Sequence, residues 1–459
     1  MPESKYDCIV IGTGPGGYVA AIRAAQLGMK TAVVEKDRIG GRCLNYACIP
    51  AKAVLRAADV LTEAQHAGDF GINVSGIEVE FGGVVNHRKQ VVEKLTGGVG
   101  GLLKKNKIDV IEGFGSITDE GNVKIGGQFD GTEIQADHVI LACGSVPKPV
   151  LGLSFGKRVL STETMWGLDE QPGRLAVIGA GASGSEVASA FGRLGTEVTL
   201  YEALPQILPL EDKDIARAAA REIAKQNVTI VTEANIESVD ATDDGVTIKQ
   251  GDSSEQFDYL CIAAGRGPDV EGLGLDEAGV KLDERGLIDV DGAQRTSLKG
   301  VYAIGDLVRG KALAHKASDE GVIAAEDAAG MDTHPIDQLF VPAATFTYPQ
   351  VASFGLTEQQ ARDEGYDVTV GRIPITAVGA PTVYGDRGMV KIVGDKKYGE
   401  LLGGHIVCAK AADLIQELVV ARDLEGGYPE VARSIHPHPA FAEAIMEAAR
   451  AADGWLIHG

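Results

Sequence analysis

Chemistry is concentrated in Gly41-Arg42-Cys43-Leu44-Asn45-Tyr46-Ala47-Cys48-Ile49-Pro50-Ala51-Lys52, where two of the chain's 6 cysteines stand five positions apart and a lysine follows within one helical turn. That is the layout of a thiol pair presented to a cofactor. In a regular helix, residues five apart are separated by ~7.5 Å of rise, beyond the ~4.4–6.8 Å Cα spacing that a disulfide tolerates. If the two cysteines bond, the backbone between them must be a distorted loop or a helix start. Asn45 and Gly41 make such a geometry reachable, and Pro50 suits the first turn of a helix running through Lys52 to Ala58. A helix N-terminus also stabilises the thiolate, the reactive form of cysteine. The alternative is a pair of buried structural cysteines, although the flanking residues are polar or Gly and Pro rather than an apolar run.

A second constellation stands near the C-terminus, His436-Pro437-His438-Pro439-Ala440-Phe441-Ala442-Glu443. Dithiol chemistry at neutral pH needs a base to form the attacking thiolate and an acid to protonate the leaving one, and imidazole, with an ordinary pKa of ~6.5, suits both. A carboxylate such as Glu443 can orient the ring and stabilise its charged form. The two prolines hold the peptide extended, and Pro439 suits the first position of the helix that carries Glu443 onward to Ala449. His436 reads as a structural residue.

These groups need elements to position them. The strand Tyr6-Asp7-Cys8-Ile9-Val10-Ile11 runs into Gly12-Thr13-Gly14-Pro15-Gly16-Gly17, an alanine-rich helix follows, and the strand Thr31-Ala32-Val33-Val34 ends in Glu35. In that context the glycines let backbone N–H groups approach a pyrophosphate, and the acid can accept from a ribose. The unit recurs: a strand over 174–178, then Gly179-Ala180-Gly181-Ala182-Ser183-Gly184, a helix, and a strand ending in Glu202. Each copy closes on a similar strand and turn, 138–147 with Gly144, Ser145 and Pro147, and 259–268 with Gly265, Arg266 and Pro268. Two dinucleotide sites are the natural reading. A later apolar strand, Val301-Tyr302-Ala303-Ile304, ends in Gly305-Asp306, and from about residue 336 the pattern turns to alternating strands followed by helices. The expected domains are 1–147, 148–268, 269–335 and 336–459.

At 459 residues the chain is long enough for several cores. Its net charge of −22 would repel nucleic acid and anionic membrane surfaces, so neither is expected as a partner. No apolar run approaches the ~20 residues of a membrane-spanning helix. The polar opening Met1-Pro2-Glu3-Ser4-Lys5 leads straight into a strand, which leaves no room for a signal peptide, and a cytoplasmic protein is expected. Cys8, Cys143, Cys261 and Cys408 are scattered singly among apolar residues and read as core. With no paired CxxC and a histidine pair split by one proline, no metal site is expected.

The cysteine stretch closely resembles the redox-active disulfide signature of the flavoprotein disulfide reductases, and the C-terminal stretch resembles that family's His-Pro-x-x-x-Glu motif. The resemblance covers essentially the whole chain. It implies two Rossmann-like α/β domains, for FAD and NAD, plus a C-terminal α+β dimerisation domain, with Cys43, Cys48, His438 and Glu443 catalytic. It implies one tightly, non-covalently bound FAD per subunit, held by Gly12, Gly14, Gly17, Glu35, Lys36, Gly41, Arg42, Lys52, Gly115, Gly144, Ser145, Asp306 and Ala314. The helix opened by Ala314 is expected along the flavin ring. NAD is expected at Gly179, Ala180, Gly181, Ala182, Ser183, Gly184, Glu186, Glu202, Gly265 and Arg266. Lys52 is expected to pair with Glu186, and His438 to act on the opposite subunit of a homodimer.

Within the family, Glu202 and the lack of Arg or Lys from there to Glu211 favour NAD over NADP. The C-terminus carries no cysteine pair of the mercuric or large thioredoxin reductase kind. What remains is the dihydrolipoamide dehydrogenases, which serve the lipoyl-carrying proteins of 2-oxo acid dehydrogenase or glycine cleavage complexes. The alternatives are an NAD(P)H-linked reductase of another small disulfide and a non-catalytic redox-sensing subunit. The sequence departs from the family at Ala182 and Ser183, where larger side chains usually gate the nicotinamide pocket, and at Cys143 and Ala440, where Thr is common.

Overall fold

The computed structural model describes residues 2–127 and 130–459; Met1, Gln128 and Phe129 lie outside that description. The chain is mixed α/β and forms two compact units, each assembled from three segments. One comprises the N-terminus to Ala53, Val85–Lys148 and Arg266–Gln338, and the other Val54–Val84, Pro149–Gly265 and Leu339–Gly459.

In the first unit, the strands Asp109–Glu112, Thr31–Glu35, Lys5–Ile11, Thr132–Leu141 and Val301–Ala303 lie side by side and parallel. The N-terminal end of Thr132–Leu141 instead pairs antiparallel with Val123–Gly126, which continues to Phe114–Ile117. The central strands read as continuous apolar runs because both faces are covered. Alternation sends Ile9, Ile11, Val34, Val139 and Leu141 into one core, and Cys8, Val10, Val33 and Ile140 into another under the helix Pro15–Gln26. That helix meets the helix Ala314–Ala328 at two glycines: a Cβ on Gly16 would stand 2.7 Å from the Ala317 carbonyl oxygen, and one on Gly321 2.6 Å from that of Gly16.

In the second unit, Val228–Val231, Glu197–Tyr201, Arg174–Ile178, Tyr259–Ile262 and Val159–Ser161 form a parallel sheet in that order. A three-stranded antiparallel meander covers residues 238–257. The C-terminal part is a five-stranded antiparallel sheet, ordered Ala343–Thr345, Gln350–Gly355, Leu401–Cys408, Met389–Asp395 and Val368–Pro374. Phe354, Val390, Ile392 and Ile406 of that sheet pack with Ile415 and Leu418 of the helix Ala411–Asp423 and with Ile445 and Ala448 of the helix Glu443–Ala452.

Cys8, Cys261 and Cys408 are buried as expected, whereas Cys143 is half-buried at the end of its strand, its thiol 3.6 Å from the Ile11 carbonyl oxygen. The helix carrying Glu443 starts at Glu443 itself and not at Pro439. The Ala440 N–H, which a helix beginning at Pro439 would leave unpaired in its first turn, is taken by the Glu443 side chain instead. Among the described residues, no helix is long and apolar enough to cross a membrane. No group of three His, Cys, Asp or Glu side chains there is placed to hold a metal ion.

Candidate active site

Cys43 lies in the short helix Gly41–Asn45, and Cys48 is the first residue of the helix Cys48–Gln65. Tyr46, with φ −131°, breaks the path between them, and this break lets side chains five positions apart meet. Both cysteines are half-buried thiols, and their side chains hydrogen-bond to each other. Asn45 secures the turn by donating to the carbonyls of Ile39 at 3.1 Å and Gly41 at 2.9 Å. Gly41 adopts φ +58°, and a Cβ there would come within 2.6 Å of the Gly14 Cα, so the thiol-bearing helix lies against the first glycine loop. The hydrogen bond to Cys48, and then burial, push the Cys43 thiol well up, against the opposing charges of Lys52 and Arg42. Of the two thiols, Cys43 is thus the one held in its protonated form, while Cys48 stands at the N-terminal end of its helix.

The two glycine loops are built alike. Gly12 N–H donates to the Val34 carbonyl and Gly179 N–H to that of Tyr201, each at 2.8 Å. A Cβ on Gly17 would overlap the Gly12 carbonyl oxygen, and one on Gly184 that of Gly179. Glu35 accepts from the N–H groups of Thr13 at 2.9 Å and Asp37 at 3.0 Å, and Glu202 from those of Ala180 at 2.8 Å and Leu204 at 3.0 Å. Glu35 Oε2 also accepts from the Thr13 hydroxyl, so the capacity left for a ribose hydroxyl is on Oε1 of Glu35 and on both oxygens of Glu202. Gly14 and Gly181 head their helices with no side-chain cap, and a Cβ on either would meet nothing within 4 Å. That open approach to helical N–H groups is what a pyrophosphate requires.

In the first unit three loops leave the carboxyl ends of adjacent parallel strands: the Gly12 loop, the 142–145 turn and Gly305-Asp306, in the register Ile11 to Leu141 to Ala303. Ligands of open α/β sheets bind at such an edge. The Ser145 hydroxyl donates to Asp306, and Arg266 Nε donates to the Ser145 hydroxyl oxygen at 2.9 Å. Lys36 pairs with Asp269 at 2.6 Å, and Gly115 is buried against Ile11 and Val34. Gly144 turns with φ +78°, and Ala314 opens its helix. A glycine cradle, a helix N-terminus and two acids facing one strand edge fit a dinucleotide such as FAD.

In the second unit, Glu186 accepts from the Phe346 N–H at 2.8 Å, while Ala182 and Ser183 stand exposed at the start of their helix. Gly265 leaves the strand Tyr259–Ile262 and adopts no left-handed φ, while Arg266 belongs to the first unit through its bonds to Ser145. His438 Nδ1 lies 2.9 Å from Glu443 Oε1, and Glu443 Oε2 accepts the Ala440 N–H at 2.9 Å. Burial alone would raise Glu443, but the Ala440 N–H and the nearby His438 and His436 hold it below the usual carboxylate range. His436 is engaged on both ring nitrogens, with Glu417 Oε1 at 2.7 Å and the Ser434 carbonyl at 2.9 Å. Glu417 escaped the sequence reading, because a pair 19 residues apart with an irregular segment between leaves no local pattern.

Residues 6–321 match the family model of pyridine nucleotide-disulphide oxidoreductases, and residues 341–449 match the dimerisation domain of those proteins. The dihydrolipoyl dehydrogenase of Thermus scotoductus is 42% identical, with 99% of this chain and 98% of that protein covered. That of Bacillus subtilis is 39% identical, with 99% of each covered. Among solved structures, LpdA from Mycobacterium tuberculosis superposes with a TM-score of 0.90 at 28% identity, covering 96% of this chain and 99% of that one. A copper complex of the HOCl-induced flavoprotein disulfide reductase RclA from Escherichia coli superposes with a TM-score of 0.88 at 27% identity, covering 97% of this chain and 99% of that one. Likeness that runs unbroken from the first strand to the last helix has one meaning: the chain belongs to the pyridine nucleotide-disulphide oxidoreductase family.

Proposed function

We propose that the chain oxidises dihydrolipoamide carried on another protein, closing it to the cyclic disulfide and passing two electrons to NAD. The observation that carries this reading is the hydrogen-bonded pair Cys43 and Cys48 at the break between two helices, with Cys48 heading the second. The activity for which its relatives are named supports the same substrate.

In this reading the thiols are the two-electron-reduced form of a Cys43–Cys48 disulfide. His438, with Nδ1 bound by Glu443, presents Nε2 as the base and takes the proton of one substrate thiol. The substrate thiolate attacks Cys43 Sγ, the S–S bond breaks, and Cys48 departs with the electron pair as a thiolate stabilised by its helix and by Lys52. Once the first proton has left His438 for solvent, the second substrate thiol passes its own through the ring to Cys43 while attacking the first substrate sulfur. The cyclic disulfide is released. FAD, when bound, supplies the two-electron relay between the dithiol and NAD. Gly12, Gly14, Gly17, Glu35, Gly144, Ser145 and Asp306 would hold it. The second glycine loop would hold NAD, Glu202 accepting both ribose hydroxyls and repelling a 2′-phosphate.

The matched dimerisation segment supports a homodimer in which His438 of one protomer serves the thiol pair of its partner. Cys8, Cys261 and Cys408, buried singly as thiols, support a cytoplasmic setting. Anaerobic titration with one equivalent of dihydrolipoamide tests the reading: an absorption band beyond the oxidised-flavin peak is expected, and Cys48→Ser should lack it. Faster turnover with other small dithiols than with dihydrolipoamide would reject the substrate, and protein devoid of flavin would reject the chemistry.

A further inference from the structure

We infer that Lys316 and Glu320 are positioning residues for the flavin site, clamping the Gly305 peptide so that Asp306 is aimed at the ligand. The inference rests on the reading that FAD binds at this strand edge. Lys316 Nζ and Glu320 Oε1 are 2.9 Å apart, one turn from each other on the helix Ala314–Ala328, and both side chains are 0% exposed. On a surface such a pair contributes little. In the interior both charges lose their water, and an apolar pair of similar volume often serves stability as well or better.

Where the two charges are directed gives this pair a purpose. Glu320 Oε2 accepts the Gly305 N–H at 2.8 Å, and Lys316 Nζ donates to the Gly305 carbonyl at 3.0 Å. Both polar groups of a single peptide-bearing residue are therefore bound to the two ends of one ion pair. Gly305 has φ +72°, a left-handed conformation that glycine enters easily and can also leave easily. The next residue is Asp306, whose carboxylate accepts from the Ser145 hydroxyl. Asp306 is thus held from the front by Ser145 and from behind by a clamped peptide. A pair present for packing alone would have no reason to direct both charges at the residue before the ligand acid.

The test follows FAD release from the holoenzyme by the rise of flavin fluorescence. Replacing both members, K316M/E320L, removes the charges together and leaves neither stranded. Release is expected to accelerate about tenfold, the scale of losing a charged hydrogen bond, and to accelerate no further when the double change is added to Asp306→Asn. Unchanged release, or an equal acceleration in the Asp306→Asn background, would overturn the clamp, since the pair would then act without Asp306. If the double variant does not accumulate folded, Glu320→Gln, which keeps the volume, is judged by the same two outcomes. Parent protein that holds no flavin would instead overturn the underlying reading and the inference with it.

Discussion

His438 and Glu443 form a closed dyad, 2.9 Å from Nδ1 to Oε1, with the carboxylate anchored in turn by the Ala440 N–H and the ring 74% exposed. A carboxylate on Nδ1 places the proton there and leaves Nε2 as the basic nitrogen. The dyad is therefore oriented while the rest of the ring remains exposed on this chain.

His438→Gln should lower dihydrolipoamide oxidation about 10²–10⁴-fold, the usual range for losing a general base. Glu443→Gln should cost less, because the ring survives. Stopped-flow reduction of the flavin by NADH should be unaffected in both variants. An equal loss in that half-reaction would show that the dyad does not serve the dithiol.

The two glycine cradles can be damaged one at a time. A Cβ at position 17 or 184 overlaps the carbonyl of the first glycine in its own loop, about 1–3 kcal/mol of strain or a loss of roughly tenfold in affinity. Gly17→Ala is expected to reduce bound flavin after gel filtration. Gly184→Ala should retain flavin and raise the KM for NADH. If Gly184→Ala sheds flavin and Gly17→Ala does not, the cofactor assignments are reversed.

Lys391 is buried against Asp212, Asp214 and Glu358 at 2.8–2.9 Å, with Arg372 also on Asp214 at 2.9 Å. Burial alone would raise Asp212 and Glu358 and lower Lys391, yet the ion pairs drive all three the other way. The acids' contribution is thus present above their ordinary pKa values and is lost as pH falls through the depressed ones. Lys391's contribution is lost only as pH rises through a value above 10.5. Thermal melts should show the native protein losing stability on acidification below about pH 4. Lys391→Met should be about 3–5 kcal/mol less stable at neutral pH and should recover part of that on acidification, as the stranded carboxylates take up protons. Loss in parallel with the parent would mean that the cage does not govern acid stability.

Both acceptors around His436, the Ser434 carbonyl and the Glu417 carboxylate, are satisfied together only when both ring nitrogens carry a proton, so the arrangement favours the imidazolium form. Chiefly the Glu417 hydrogen bond raises its pKa. Its stabilising contribution is complete below the ordinary histidine value and is lost as pH rises through the raised one. Glu417→Gln should flatten the fall of melting temperature on the alkaline side of neutrality, and the His436 ring-proton titration in NMR should move to lower pH. An unmoved titration would assign the shift to another group.

Local order was legible in the chain because it depends on neighbours a few residues apart. Strand, glycine turn, helix and acid follow from apolar runs and the special conformations of glycine, and they recur at 12–35 and 179–202. The helix start at Cys48 likewise follows from Pro50 and the residues after it. The His438 and Glu443 pairing came from a short local motif. Even there, the helix expected from Pro439 begins only at Glu443, whose side chain reaches back to the Ala440 N–H.

What folding alone decided are the relations that cross long stretches of chain. The strand Val301–Ala303 joins Thr132–Leu141 and brings Asp306 to Ser145, and Arg266 returns to bond Ser145. Lys391 finds Asp212, 179 positions away. Such partners leave no periodicity, since burial of charge is resolved by whichever opposite group the topology delivers. The residue types and short spacings determined which chemistry is possible, and strand order together with the desolvation of charge determined which groups hold it in place.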